Sequence, residues 1–148
     1  SERYNAETGF PAIPNWQDPP RDRRFPLLLI TPKCVYRTHS QGSNIPALNR
    51  LVDHVLQMHP DDMKARGLDD RGMVEVYNDQ GSCFVPVHTS DAIMPGVVSL
   101  PEGVWVKLNA QGVDTAGSAN MLTSNSATNP AQANIQHGVP VQCRAVSG

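Results

Sequence analysis

Two stretches of the chain carry side chains suited to holding a polar ligand. The first is Arg37-Thr38-His39-Ser40-Gln41, continuing through Gly42-Ser43-Asn44. The second is residues 109–137, dominated by Asn, Ala, Gln, Ser, Thr and Gly, with Met121-Leu122 as its apolar anchor. Ser, Thr, Asn and Gln side chains both donate and accept hydrogen bonds, and segments this polar sit at the surface, where binding groups are held. Composition alone describes the second stretch as a long flexible loop. A loop of that length is uncommon in a compact domain unless it binds something or is disordered.

Other chemistries find less support. The cysteines Cys34, Cys83 and Cys143 are odd in number and widely spaced, which argues against a disulfide framework or a zinc site. Each reads as a small buried or half-buried residue. No His/Cys/carboxylate spacing suggests a metal site made by this chain alone. His59 is placed to cap or precede a helix at Pro60, His88 belongs to a strand, and His54 and His137 have no motif around them. Asp114-Thr115-Ala116-Gly117 is the nearest approach to the Asp-Thr-Gly of an aspartic protease half, and its Ala breaks the pattern. A net charge of -2 gives no reason to expect a nucleic-acid partner. No run approaches the roughly 20 apolar residues of a membrane span, so no direct membrane insertion is expected. The chain opens on Ser1 without Met or leader, as an excised fragment or a processed chain would.

The elements that must position these loops are short. Pro11, Pro14, Pro19 and Pro20 make residues 1–24 an arm or linker without helix or central strand, which Phe10, Ile13 and Trp16 could pin to a neighbouring surface. The globular part, residues 25–148, begins with a compact apolar strand over Leu27–Thr31, read as buried on both faces. A short helix is expected from Ile45 to about Val52. Pro60 suits the first turn of a second helix, Asp61 and Asp62 complement its dipole, and Gly67 ends it. Met73–Tyr77 alternates as a strand, Asn78-Asp79-Gln80-Gly81 turns, and Ser82–Thr89 runs back. Met94-Pro95-Gly96 turns into a strand over Val97–Leu100, and Val139–Val146 is a closing strand. High Pro and Gly content with no long helical periodicity points the same way, to many short strands.

The order of these pieces resembles the C-terminal domain of the dimethyl sulfoxide reductase superfamily of molybdopterin enzymes. The matching segments run from Phe25-Pro26-Leu27-Leu28-Leu29-Ile30-Thr31-Pro32 and Arg37-Thr38-His39-Ser40-Gln41, through His59-Pro60-Asp61-Asp62, Arg66-Gly67-Leu68 and Gly72-Met73-Val74, to Asn78-Asp79-Gln80-Gly81. Pro95-Gly96-Val97-Val98, Gly103-Val104-Trp105, Gly117-Ser118-Ala119-Asn120-Met121-Leu122-Thr123 and Ala131-Gln132-Ala133-Asn134 complete the series. Each is weak alone; the order and spacing together carry the likeness. The His-Ser-Gln and Asn-x-Leu-Thr loops make it look closest to S- and N-oxide reductases, and so to an anaerobic dimethyl sulfoxide reductase catalytic subunit.

The resemblance implies a mainly β fold, a six-stranded double-psi β-barrel with short helices. It implies binding of bis(molybdopterin guanine dinucleotide) carrying molybdenum, with the metal ligand in another domain, so that this chain alone should show no turnover. Its partners would be the remaining domains of a parent catalytic subunit, with iron–sulfur and membrane-anchor subunits beyond them, in the periplasm or at a membrane. The cofactor-binding residues on this view are Arg37, Thr38, His39, Ser40 and Gln41 in the first loop and Ser118, Asn120, Thr123 and Gln132 in the second, with Asn134 behind them. Neutral amides and hydroxyls match the edge of a pterin, while backbone N–H groups and Arg37 suit a pyrophosphate. The competing readings are an exposed loop histidine for His39, a surface charge for Arg37, and turn-forming roles for Ser118, Asn120 and Thr123. Trp105 reads as a core or rim residue supporting the second loop. An independent barrel acting as an interaction or recognition module is the alternative; it accounts for the strands but not for the long polar loop.

Overall fold

The computed structural model describes residues 2–9, 13, 16, 18, 21–128 and 132–146. Among them six strands close into one barrel: β1 (Leu27–Ile30), β2 (Leu56–Met58), β3 (Met73–Tyr77), β4 (Ser82–Thr89), β5 (Val97–Ser99) and β6 (Val139–Ala145). Around the barrel they run β1-β5-β2-β4-β3-β6. β1 with β5 and β2 with β4 are parallel pairs, and the other four pairings are antiparallel. The barrel and short helices are those the resemblance implies.

Alternation explains the barrel. Along β4 the side chains of Cys83, Val85 and Val87 point inward and are buried, while their neighbours are half-exposed; the same period of two runs along β3 and β6. Leu27, Leu29, Leu56, Met58, Val98 and Leu100 fill the rest of the interior at 0–1% exposure. β1 is buried on one face only, since Leu28 and Ile30 are half-exposed, correcting the two-faced burial expected of it. A barrel strand shows its other face to loops and solvent, so even an unbroken Leu-Leu-Leu-Ile run alternates. The strand β2 went unread because three residues are too short to display a period.

The helices follow their signals, with one exception. α1 (Glu2–Thr8) lies in the arm expected to be helix-free. The prolines begin only at Pro11, so nothing in residues 2–8 breaks a helix, an Arg3–Glu7 pair at 2.8 Å bridges one turn, and Gly9 follows at φ +71°. Phe10 lies outside the described residues, while Ile13 and Trp16 are exposed. α2 is a single turn, Pro46–Asn49, shorter than expected. In α3 (Pro60–Ala65) the His59 ring accepts the Asp61 amide and Gly67 follows at φ +60°, as the sequence indicates. No helix among the described residues is long and apolar enough to cross a membrane. All three cysteines are free; burial pushes the Cys83 thiol up to about 12 and the Cys143 thiol to about 11, as expected of core residues.

Candidate functional site

The first polar loop is a tight turn held from outside. The Gln41 amide donates to the Thr38 carbonyl at 3.0 Å, and His39 sits between them at φ 51°. The segment after β5 runs alongside. Gly103 has φ +105°, and a side-chain carbon there would overlap the His39 carbonyl oxygen, so only glycine lets the two backbones approach this closely. Trp105 then donates its indole N–H to the Ser40 carbonyl at 2.8 Å, and its backbone N–H reaches Ser43 Oγ at 3.4 Å. Trp105 therefore supports the first loop, not the second as the sequence suggested, because the chain leaving β5 passes beside residues 39–43. The His39 ring lies against Glu102, with Nδ1 3.1 Å from Oε1, and Lys33 Nζ is 3.4 Å from the same oxygen.

The second loop is organised from within, by a residue that sequence reading dismissed as a failed protease motif. Asp114 is fully buried. Its Oδ1 accepts the amides of Lys107 at 2.6 Å and Ala116 at 3.2 Å, and its Oδ2 accepts the amide of Ser118 at 2.6 Å. Its own carbonyl accepts the Phe84 amide at 2.7 Å, tying the loop to β4. The composition reading of residues 109–137 as a long flexible loop thus fails for residues 109–118. The available signal was an Asp ahead of the small residues Thr-Ala-Gly-Ser, a place where a carboxylate can take up backbone amides that no strand would satisfy.

From Gly117 onward other contacts guide the loop. His54 Nε2 is 2.8 Å from the Gly117 carbonyl. A carbonyl only accepts, so the ring carries its proton on Nε2 and leaves Nδ1 as an acceptor, buried and without a hydrogen-bond partner. Burial lowers the pKa of His54, and the charge of Arg37 lowers it further against the opposing Gly117 hydrogen bond. Asn78, at the turn between β3 and β4, donates to the carbonyls of Leu122 at 2.8 Å and Pro140 at 3.1 Å. It fastens the 3₁₀ turn Ala119–Met121 and its exit to the start of β6.

The two loops meet. A polar cavity of about 240 Å³ has His39, Ser40 and Glu102 on one side and Asn120, Asn134 and Gln136 on the other. An adjoining space of about 260 Å³ shares Asn120, Asn134 and Gln136 and adds Thr123. Four predicted residues, His39, Ser40, Asn120 and Thr123, thus come together with Asn134, which ranked behind them. Arg37 faces elsewhere, lining a cavity of about 460 Å³ with Ser43, Asn49, His54 and Lys107; Val104 walls both this space and the first. There Arg37 Nη2 donates to Asn49 Oδ1 at 2.6 Å, while its Nε and Nη1 are buried without partners. Thr38 and Gln41 close the first turn, Ser118 is buried at the start of the 3₁₀ turn, and the Gln132 amide donates to the Thr128 carbonyl at 2.7 Å. None of these four lines the cavities between the loops. Glu102 and Gln136 were not foreseen: Gln136 is one amide among many in the second polar stretch, and Glu102 stands just ahead of the Gly103-Val104-Trp105 segment, outside both polar stretches.

A family model described as "Molydopterin dinucleotide binding domain" matches residues 27–140. The dimethyl sulfoxide reductase DmsA of Escherichia coli is 31% identical over 136 residues, covering 92% of this chain and 17% of that protein. The dimethyl sulfoxide/trimethylamine N-oxide reductase of Rhodobacter capsulatus is 31% identical over 151 residues, covering 93% of this chain and 18% of that one. The chain therefore spans about one sixth of the length of these relatives. Among solved structures, acetylene hydratase from Pelobacter acetylenicus superposes with a TM-score of 0.77 at 17% identity, over 96% of this chain and 22% of that one, a likeness of fold. With the family model spanning the barrel from its first strand into its last, the chain belongs to the molydopterin dinucleotide binding domain family.

Proposed function

We propose that this domain clamps bis(molybdopterin guanine dinucleotide) within a larger catalytic subunit of the S- or N-oxide reductase type. The observation that carries the reading is the convergence of two loops, distant in sequence, on one cavity lined by amides, a hydroxyl, an imidazole and a carboxylate. These groups match the alternating donors and acceptors of a pterin edge. The neighbouring cavity fits the phosphate side: two buried guanidinium nitrogens of Arg37 lack acceptors, and an anionic oxygen is what would satisfy them.

When bound, the cofactor supplies the redox-active metal. The chain's own residues bind and orient it. His39, Ser40, Asn120 and Thr123 offer side chains to the pterin, and Arg37 offers charge to the phosphates. Thr38 and Gln41 fix the first turn, Ser118 starts the second, and the Gln132 amide, held on the Thr128 carbonyl, leads the chain to Asn134. The remaining domains of the catalytic subunit would cover the cofactor's other face, with iron–sulfur and membrane-anchor subunits as further partners. Turnover then belongs to the assembled enzyme and not to this domain alone. Nothing in the relatives favours a free-standing recognition module.

The air-oxidised, fluorescent form of the dinucleotide provides a direct test. Adding the 148-residue chain should raise its fluorescence anisotropy, and the His39→Ala/Asn120→Ala variant should bind roughly tenfold more weakly, the loss of about one good hydrogen bond to a ligand. An anisotropy that stays flat with the unaltered chain rejects the reading.

A further inference from the structure

We propose that Glu102 is the residue that reads the 2-amino-4-oxo edge of the pterin, its carboxylate accepting the two parallel N–H groups of that edge. The inference rests on the cofactor-binding reading above and adds to it a recognition element.

The case begins with an imbalance in burial. The Glu102 side chain is only 16% exposed, yet the two groups beside it, Lys33 and His39, are 70% and 67% exposed. The Glu75–Arg144 pair on the barrel shows a similar imbalance, 16% against 64%, so burial alone does not mark a ligand site. What sets Glu102 apart is that its half-buried carboxylate opens on the cavity where the two loops meet. Lys33 and His39 also approach the same atom, Oε1. Oε2 enters neither contact, and Glu102 lines the cavity between the two loops.

The surrounding chemistry then selects the ligand edge. Ser40, Asn120, Asn134 and Gln136 can each both donate and accept, so they discriminate poorly between edges of a polar ring. Glu102 is the carboxylate on that wall, and a carboxylate only accepts. A planar edge with two N–H donors side by side, the 2-amino group and the adjacent ring N–H, matches the two oxygens of a carboxylate: one N–H meets Oε2, and the other takes the place on Oε1 of the long 3.4 Å contact from the exposed Lys33. Gly103 strengthens the placement. Its positive φ lets Glu102 sit directly beside the His39 turn, and any side chain there would push the two apart. Before a ligand enters, Lys33 and His39 hold Oε1 from the rim and keep the carboxylate aimed.

The test compares 6-hydroxymethylpterin with 6-hydroxymethyllumazine, in which an oxo group replaces the 2-amino group and one of the two donors is lost. Both are fluorescent and can be titrated with the 148-residue chain, its Glu102→Gln variant and an Asn120→Ala variant. The unaltered chain should prefer the pterin by roughly tenfold, as expected for one charge-assisted hydrogen bond. Glu102→Gln should erase that preference, and Asn120→Ala should weaken both ligands while keeping their ratio. If Glu102 merely braced the His39 turn, its variant would weaken both ligands alike and leave the ratio intact, which overturns the inference while the binding site stands. Lys33→Met, at an exposed position, serves as a second variant. It should reduce the preference without abolishing it, and a ratio identical to that of the unaltered chain counts against the proposed aiming of Oε1. Failure of both ligands to bind the unaltered chain overturns the inference and the binding reading together.

Discussion

Asp114 gathers the amides of Lys107, Ala116 and Ser118 onto one buried carboxylate, whereas the Thr38–Gln41 turn is held by Gly103 and Trp105 from a segment much later in the chain. Both loops are polar and both end at the same cavity, but one carries its own scaffold and the other borrows one. The difference predicts how each fails. Damage to the second loop should spread into the barrel, because Asp114 also pairs through its backbone with β4. Damage to the first should stay local, because its supports lie outside the barrel core.

The largest expected effect is at Asp114. Asp114→Ala strands three amide donors around a buried site, and each unsatisfied donor costs about 1–3 kcal/mol. A loss on the order of 4 kcal/mol in urea denaturation is expected, a large share of the total stability of a domain this size. Asp114→Asn keeps one acceptor oxygen and should lose about half as much. A loss below about 1 kcal/mol for the alanine variant would mean that the carboxylate does not organise the loop.

Gly103→Ala comes next. The substitution combines an unfavourable positive φ with an overlap on the His39 carbonyl oxygen, and local strain of this kind costs about 1–3 kcal/mol. Amide resonances of residues 37–45 should move while those of β3, β4 and β6 stay in place. Gly112 offers the contrast: it also has positive φ (+79°), but an added carbon there meets nothing within 4 Å, so Gly112→Ala should give the strain without the displacement. Equal shifts in the first loop from both variants would contradict the borrowed scaffold.

What sequence reading recovered, and what it missed, follows the same division. Met73–Tyr77, Ser82–Thr89 and the Pro60 helix were legible because their signals are local: alternation, a two-ended turn, a capping residue and a terminating glycine. The cavity residues His39, Ser40, Asn120 and Thr123 came through family likeness, since a short polar motif resembles any loop until its neighbours are known. Asp114 carried a local signal, with amide partners two, four and seven residues away, but was read only against a protease pattern. Glu102 was out of reach because its partners lie far along the chain, and Trp105 was assigned to the wrong loop because its indole partner, Ser40, lies 65 residues away.

His54 offers the finest test of the comparison, because it touches the second loop through Gly117 while feeling the charge of Arg37 from the first. Burial holds its pKa below the ordinary 6.5, so just below that pH the unfolded chain takes up a proton that the folded chain refuses. Its contribution is therefore fully present above pH 6.5 and declines as the pH falls toward the lowered folded value, with a slope no steeper than one proton allows, about 1.4 kcal/mol per pH unit. Asp22 and Asp70 are lowered from 3.8, chiefly by hydrogen bonds from Arg24 and from the Thr89 amide respectively, so their contribution is fully present well above 3.8 and is lost only below the pH 7 to 5 range. In His54→Gln the side-chain amide can still donate to the Gly117 carbonyl but cannot titrate. The stability difference between the unaltered chain and this variant should shift against the unaltered chain as the pH falls from 7 to 5. Because a proton would have to enter at the buried Nδ1, near the positive charge of Arg37, acid should loosen the Gly117 end first. Hydrogen exchange at Ser118–Met121 should quicken before exchange at Gln41, and the reverse order would show that the two loops share one scaffold.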